Sequence, residues 1–168
     1  MDRALIVINE MVRLGIMKAY AIGGGIAATY YIEPVLTYDL DVFFVPIREG
    51  LDDLAPIYEF ARERGYGPQA EAILIEGFPV QFLPAYNDLI REAVADAAIL
   101  KYRGAEAMVV RAEYLAAIAL QTGRAKDRER AIRILEEAEI DRAALDRILK
   151  KHNLAEKLDK LIRDRHEE

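Results

Sequence analysis

The sequence predicts an α+β protein: a short mixed β-sheet flanked by helices, followed by a C-terminal helical tail. Three observations carry this expectation. Short runs rich in β-formers (37–45, 70–76 and 79–84) alternate with helical patterns up to about residue 110. From Arg111 onward the apolar residues recur at helical spacing, through Leu115, Ile118 and Ala119, Ile132 and Leu135, Leu145, Ile148 and Leu149, to Leu154, Leu158, Leu161 and Ile162. Apolar residues make up 53% and charged residues 31% of the 168, which suits a packed core and argues against disorder. We therefore expect an α/β body over residues 1–110 and a helical bundle over 111–168 packed on it.

The elements follow in order. Residues 3–14 read as an amphipathic helix capped by Asp2 and stopped at Gly15. Residues 18–22 form a strand that runs into Gly23-Gly24-Gly25. A short helix follows over Ile26–Ile32, ended before Pro34 because the residue before proline disfavours helical geometry. The run Thr37–Val45 reads as a central strand. Asp52 or Asp53 caps a helix that reaches Arg64, with Pro56 in its first turns and Gly65 at its close. The strands 70–76 and 79–84 flank Gly77-Phe78, a helix covers 87–95, and Gly104 marks the tip of a hairpin. In the tail, Asp141 and Asn153 are cap candidates, Asn153 having Glu156 three residues on.

Composition closes off several classes of function. Cysteine is absent, which excludes disulfides, cysteine-ligated zinc and thiol catalysis. The two histidines, His152 and His166, both lie in the charged tail and offer no imidazole-rich metal site. No apolar run approaches the ~20 residues of a membrane span, and the first residues lack a signal-peptide pattern, so the expected compartment is the cytoplasm. With a net charge of -6 no broad nucleic-acid-binding face is expected, although a local cationic pocket is compatible with it.

The chemistry concentrates between residues 22 and 43. On an alternating strand, Thr37, Asp39, Asp41 and Phe43 share one face. Asp39 and Asp41 are then neighbouring carboxylates in an apolar strand, a costly placement unless a cation neutralises them. Hard oxygen ligands at this spacing suit Mg²⁺, which shares its remaining positions with water and substrate phosphates. The glycine turn upstream exposes backbone N–H groups at a helix start, where a phosphate is favoured. Together these are the parts of metal-assisted phosphoryl or nucleotidyl transfer. The ordinary reading of the same residues is a turn and the exposed end of a strand.

The segment Ile22-Gly23-Gly24-Gly25-Ile26-Ala27-Ala28, followed by Thr37-Tyr38-Asp39-Leu40-Asp41-Val42, resembles the hallmark of the nucleotidyltransferase (DNA polymerase β-like) superfamily. Thr37 ahead of the first Asp, and Gly123-Arg124-Ala125-Lys126-Asp127 downstream, resemble the minimal bacterial branch related to abortive-infection toxins. The resemblance implies a nucleotidyltransferase-like fold, with Gly23 and Gly24 holding the triphosphate of a nucleoside triphosphate (NTP) and Gly25 easing close approach. It implies that Asp39 and Asp41 carry catalysis by holding magnesium (Mg²⁺) or manganese (Mn²⁺), that Arg124 and Lys126 reach phosphate oxygens, and that Asp127 orients one of them. The acceptor hydroxyl, on RNA, protein or a small molecule, is not specified.

The chain departs from that pattern at two places. The superfamily's third carboxylate falls in Pro79-Val80-Gln81-Phe82-Leu83, at Gln81, with Glu76 as a neighbouring acid. A lysine common in the toxin branch aligns with Ala119. Two functions therefore stand side by side: an NTP-dependent transferase, or a catalytically degenerate relative that binds nucleotide, a protein partner or a second copy without turnover. The aromatics Tyr30, Tyr31, Tyr38, Phe43 and Phe44 are expected in the core.

Overall fold

The computed structural model describes every residue except Val35, Leu51 and Glu168. The α+β expectation holds: among the described residues seven strands form one mixed sheet, followed by helices. Helix α1 (Asp2–Arg13) buries Leu5, Ile8 and Met11, spaced three apart, and packs on strand β7 (Ala105–Val109). Its N-cap is Met1. Asp2 sits inside the first turn, where a negative charge suits the helix dipole, and makes no cap bond.

Strand β1 (Ala19–Ile22) leads through Gly23 into the five-residue helix α2 (Gly24–Ala28). The expected helix to Ile32 stops early. The Thr29 hydroxyl donates to the Ile26 carbonyl at 2.6 Å, and residues 29–31 tighten into i→i−3 turns. Strand β2 (Leu40–Val45) also starts later than the expected residue 37. Its neighbour β1 has turned away at Gly23, and its other neighbour, β5 (Phe78–Pro84), first pairs with it at Leu40↔Val80. Residues 36–39 therefore have no strand beside them among the described residues.

Helix α3 (Ala55–Glu63) is capped by Leu54 and not by either aspartate; Asp53 instead accepts from the Gly50 N–H at 2.9 Å. The strands β3 (Pro68–Gln69), which sequence patterning missed, and β4 (Ala72–Ile75) extend the sheet beyond β5. β4 is shorter than the expected 70–76 because Ala70 (φ 53°) and Glu76 (φ 49°) take left-handed conformations at its flanks. Helix α4 (Asp88–Ala95) is capped by Asn87 and packs on β1 and β2; β6 (Ala98–Tyr102) and β7 form the expected hairpin around Gly104.

The sheet order is β3-β4-β5-β2-β1-β7-β6, with β2 parallel to β5, β1 antiparallel to β2 and β1 parallel to β7. On β2 the alternation separates Leu40, Val42 and Phe44, all fully buried, from Asp41 and Phe43 on the opposite face. Phe44 meets Phe82 edge to face at 6.3 Å, which anchors the centre of the sheet beneath the aspartate.

Helix α5 (Ala112–Thr122) packs on α4 and α2, and α6 (Ala125–Glu137) and α7 (Arg142–Lys151) pack on α5. Asp141 caps α7 as expected, accepting from the Ala144 N–H at 3.0 Å. Asn153 does the opposite of what its spacing suggests. With φ at 56° it closes α7, its own N–H donating to the Lys150 carbonyl and the Leu154 N–H to that of Leu149, and Leu154 caps α8 (Ala155–His166). No helix among the described residues is long and apolar enough to cross a membrane.

Candidate functional site

The glycine turn is shaped by what lies against it. Gly24 takes φ of 61°, and a Cβ built there would lie 2.1 Å from Asp41 Oδ2. A Cβ at Gly23 would enter the Phe43 ring at 2.2 Å, and one at Gly25 would meet Thr37 Oγ1 at 2.9 Å. Side-chain-free backbone is thus what lets Asp41, Phe43 and Thr37 close over the start of α2. The Gly23 N–H donates to the Asp41 carbonyl at 2.9 Å, locking turn to strand.

Asp41 projects from the site face of β2. Burial pushes its carboxyl above the ordinary aspartate range; Arg130 opposes that shift, Asp39 adds to it, and Lys126 and Arg124 oppose it. Among the described residues none donates a hydrogen bond to this carboxylate. Asp39 stands two residues earlier on exposed backbone outside the strand, so its proximity to Asp41 owes nothing to pleat alternation. Gln81 is the β5 residue in register with Asp41, and its amide donates to Glu71 at 3.3 Å. Glu76 is occupied elsewhere, accepting from the Tyr66 hydroxyl at 2.9 Å and pairing with Arg3.

Facing these acids is helix α6. Gly123, left-handed at φ 69°, ends α5 and turns the chain so that Arg124 becomes the N-cap of α6. Asp127 is 2% exposed and accepts from Arg124 Nε at 2.6 Å and from Arg130 at 3.2 Å, so one buried carboxylate holds two guanidiniums in place. Lys126, Arg130 and Arg133 recur at i, i+4 and i+7 and present one basic face. Arg133 is itself held by Glu137.

Between the two walls lies a cavity of about 590 Å³ lined by Gly25, Thr37, Tyr38, Asp39, Asp41, Gln81, Arg124 and Lys126, with Arg130 and Arg133. Seven of the expected site residues meet there: Gly25, Thr37, Asp39, Asp41, Gln81, Arg124 and Lys126. Gly23 and Gly24 do not line it, the first being buried under Phe43, and Asp127 acts through its arginines from behind. Of the aromatics, Phe43 and Phe44 are core as expected, but Tyr38 is 72% exposed at the cavity wall. Sequence reading missed Arg130, Arg133 and Glu71. The helical spacing of the two arginines from Lys126 was the available signal.

Among the described residues no three acids or histidines converge as a metal cluster. Two carboxylates, one of them desolvated and without a protein donor, fit a hard divalent cation that completes its shell with water and phosphate oxygens.

No known protein-family profile and no curated protein sequence matches the chain. Solved structures do. An antigenic nucleotidyltransferase-like protein from Paracoccidioides brasiliensis superposes with a TM-score of 0.56 at 12% identity, over 93% of this chain and 90% of that one. The antibiotic-resistance factor ANT(2'')-Ia superposes with a TM-score of 0.50 at 15% identity, over 98% and 96% of the two chains. At these identities the likeness speaks for architecture: this chain has a nucleotidyltransferase-like fold.

Proposed function

We propose that the protein transfers a nucleoside monophosphate from an NTP to a hydroxyl acceptor, with Mg²⁺ or Mn²⁺ held by Asp39 and Asp41. The observation that carries this reading is the desolvated, donor-free Asp41 carboxylate facing Lys126, Arg124 and Arg130 across one cavity. The bound cation supplies charge neutralisation for the phosphates and for the acceptor oxygen. Arg124 and Arg130, fixed by Asp127, stand ready to bind phosphate oxygens, and Lys126 adds a third positive charge. Tyr38 offers an exposed ring for the base. Thr37 and the Gly123–Asp127 segment support a place in the branch resembling abortive-infection toxins.

One observation favours the binding-only alternative. The position beside Asp41 holds an amide, Gln81, which supplies no charge for a second cation and no base for the hydroxyl. Such a protein would hold nucleotide, a protein partner or a second copy without turnover.

Thermal unfolding with each of the four NTPs, with and without Mg²⁺ or Mn²⁺, tests the proposal in wild type and Asp39→Ala/Asp41→Ala. Ligand at ~100 times its dissociation constant adds about 2.7 kcal/mol, a shift of several degrees. A metal-dependent shift lost in the double variant supports the site, and pyrophosphate release separates turnover from binding. No shift with any nucleotide overturns the transfer reading and leaves the fold as a scaffold for a protein partner or a second copy.

A further inference from the structure

The cavity between the sheet and α6 has two unlike ends. At one, Asp127 holds Arg124 and Arg130 at the start of α6, and these two with Lys126 are the cations that act on Asp41. Arg133 lies about 13 Å further along the helix axis than Arg124. The acid Glu129, which also lines the cavity, acts on Arg133 and not on Asp41. Buried Ile32 belongs to this second end, since Arg133 holds the carbonyl of the next residue, Glu33. We infer, resting on the proposed NTP site, that Glu129 and Arg133 read the base there and select guanine, so that the nucleotide is GTP.

Arg133 is fixed more firmly than a solvated helix charge. Its Nε donates to Glu137 at 2.8 Å, and its Nη2 donates to Glu137 at 3.1 Å and to the Glu33 carbonyl at 3.2 Å. The Glu33 N–H donates back to Glu137 at 3.2 Å, closing the clamp. These bonds use the Nε hydrogen and both Nη2 hydrogens, so Nη1 is the donor left for a ligand. Glu129 is exposed and, among the described residues, has neither a hydrogen-bond nor an ion-pair partner. The end therefore offers one positioned donor group beside one carboxylate with both oxygens free.

That pairing suits one base edge better than the others. Guanine carries the acceptor O6 next to two donors, N1–H and the N2 amino group, so it accepts from Arg133 while filling both oxygens of Glu129. Uracil sets a single N–H between two carbonyls, and adenine and cytosine set one amino group beside a ring nitrogen that only accepts. Each of these leaves a carboxylate oxygen unmatched, and a site that bonds a polar edge disfavours the analogue lacking it. Ile32 and Leu36 are apolar, and the exposed Tyr38 ring offers a face for stacking. Because Glu129 is solvated before the base arrives, the preference is a moderate one, about tenfold.

Isothermal titration well below the unfolding temperature tests this with GTP, ATP, CTP, UTP and inosine triphosphate (ITP), whose base is guanine without the N2 amino group, each with Mg²⁺. GTP is expected to bind about tenfold more tightly than ATP, CTP or UTP, and ITP to lose most of that advantage. Glu129→Gln keeps one acceptor oxygen and sets an NH2 group against the guanine donors, so GTP should weaken about tenfold and bind no better than ITP, while ATP holds its affinity. Glu129→Ala, which deletes the carboxylate without adding a donor, should likewise abolish the difference between GTP and ITP. The inference is overturned if ATP, CTP or UTP binds as tightly as GTP, if ITP matches GTP in the wild type, or if the GTP advantage survives both variants. Absence of binding by all five nucleotides removes the NTP site itself, and the transfer reading with it, a distinct failure.

Discussion

Gln81 lies directly beside Asp41, its register partner across the parallel pair β2 and β5. The two side chains share the sheet face that lines the cavity, so a single substitution decides whether this edge of the site carries one negative charge or two. Gln81→Asp is expected to raise metal-dependent pyrophosphate release on the order of a hundredfold by supplying the missing base. The same change should lower the melting temperature in EDTA, where two adjacent carboxylates repel, and restore it with Mg²⁺. A variant that gains neither activity nor metal sensitivity would show that the amide is not what limits the site.

Asp41 itself is a stability liability without a cation. Burial raises its carboxyl pKa in the folded state, so its favourable contribution is complete below the unfolded value near about pH 4 and is lost as pH rises through the folded one. Asp41→Asn should therefore raise the melting temperature of the metal-free protein at pH 7 by a few degrees. The gain should vanish as the pH approaches 3, and the variant should lose its metal-dependent nucleotide shift. Calorimetry across that pH range checks the sign.

The elements that sequence patterning located are those whose signals are local. Asp41, its acidic neighbour and the glycine turn declare themselves within twenty residues, and Gly123 marks the junction of α5 and α6 by its own conformational freedom. The start of β2 was not readable, because it depends on where β1 and β5 stop offering partners, a non-local fact. Arg130 and Arg133 look like ordinary solvated helix charges until α6 is laid across the sheet. Asn153 illustrates a local signal with two meanings: the same residue type favours helix starts and left-handed helix ends, and packing of Leu154 chose the second.

Gly24 couples backbone conformation to the acid it supports. Gly24→Ala must hold alanine at φ 61° and push a methyl to within 2.1 Å of Asp41 Oδ2, displacing the carboxylate. A cost of about 1–2 kcal/mol from the left-handed conformation alone is expected, with more from the clash. Loss of the metal-dependent nucleotide shift should exceed what destabilisation explains, which titration of nucleotide well below the melting temperature measures.

Glu92 fastens α4 to α7 by accepting from Lys151 and, at 2.9 Å, from His152. Burial works against its ionised form, but the hydrogen bonds from Lys151 and His152 win and hold its carboxyl below the ordinary glutamate value. This stability is present above the unfolded value of about pH 4 and is lost as pH falls through the folded one. Glu92→Gln should lower the melting temperature at pH 7, with the difference from wild type closing toward pH 3.

Asp127 has the opposite economy to Asp41: it is almost fully buried yet doubly paired, so its charge is an asset only while both arginines remain. Asp127→Asn removes the charge and one of the two acceptor oxygens that orient Arg124 and Arg130, setting an NH2 donor against one guanidinium; the stability cost should be about 1–3 kcal/mol. The larger effect is expected on binding. Two cations that are no longer aimed should weaken NTP affinity about tenfold while leaving metal dependence intact, since Asp39 and Asp41 are untouched. Asp127→Glu, which keeps the charge one methylene away, should recover stability more than affinity. Equal recovery of both would mean that charge alone, rather than the placement of Arg124 and Arg130, is what the cavity draws from this residue.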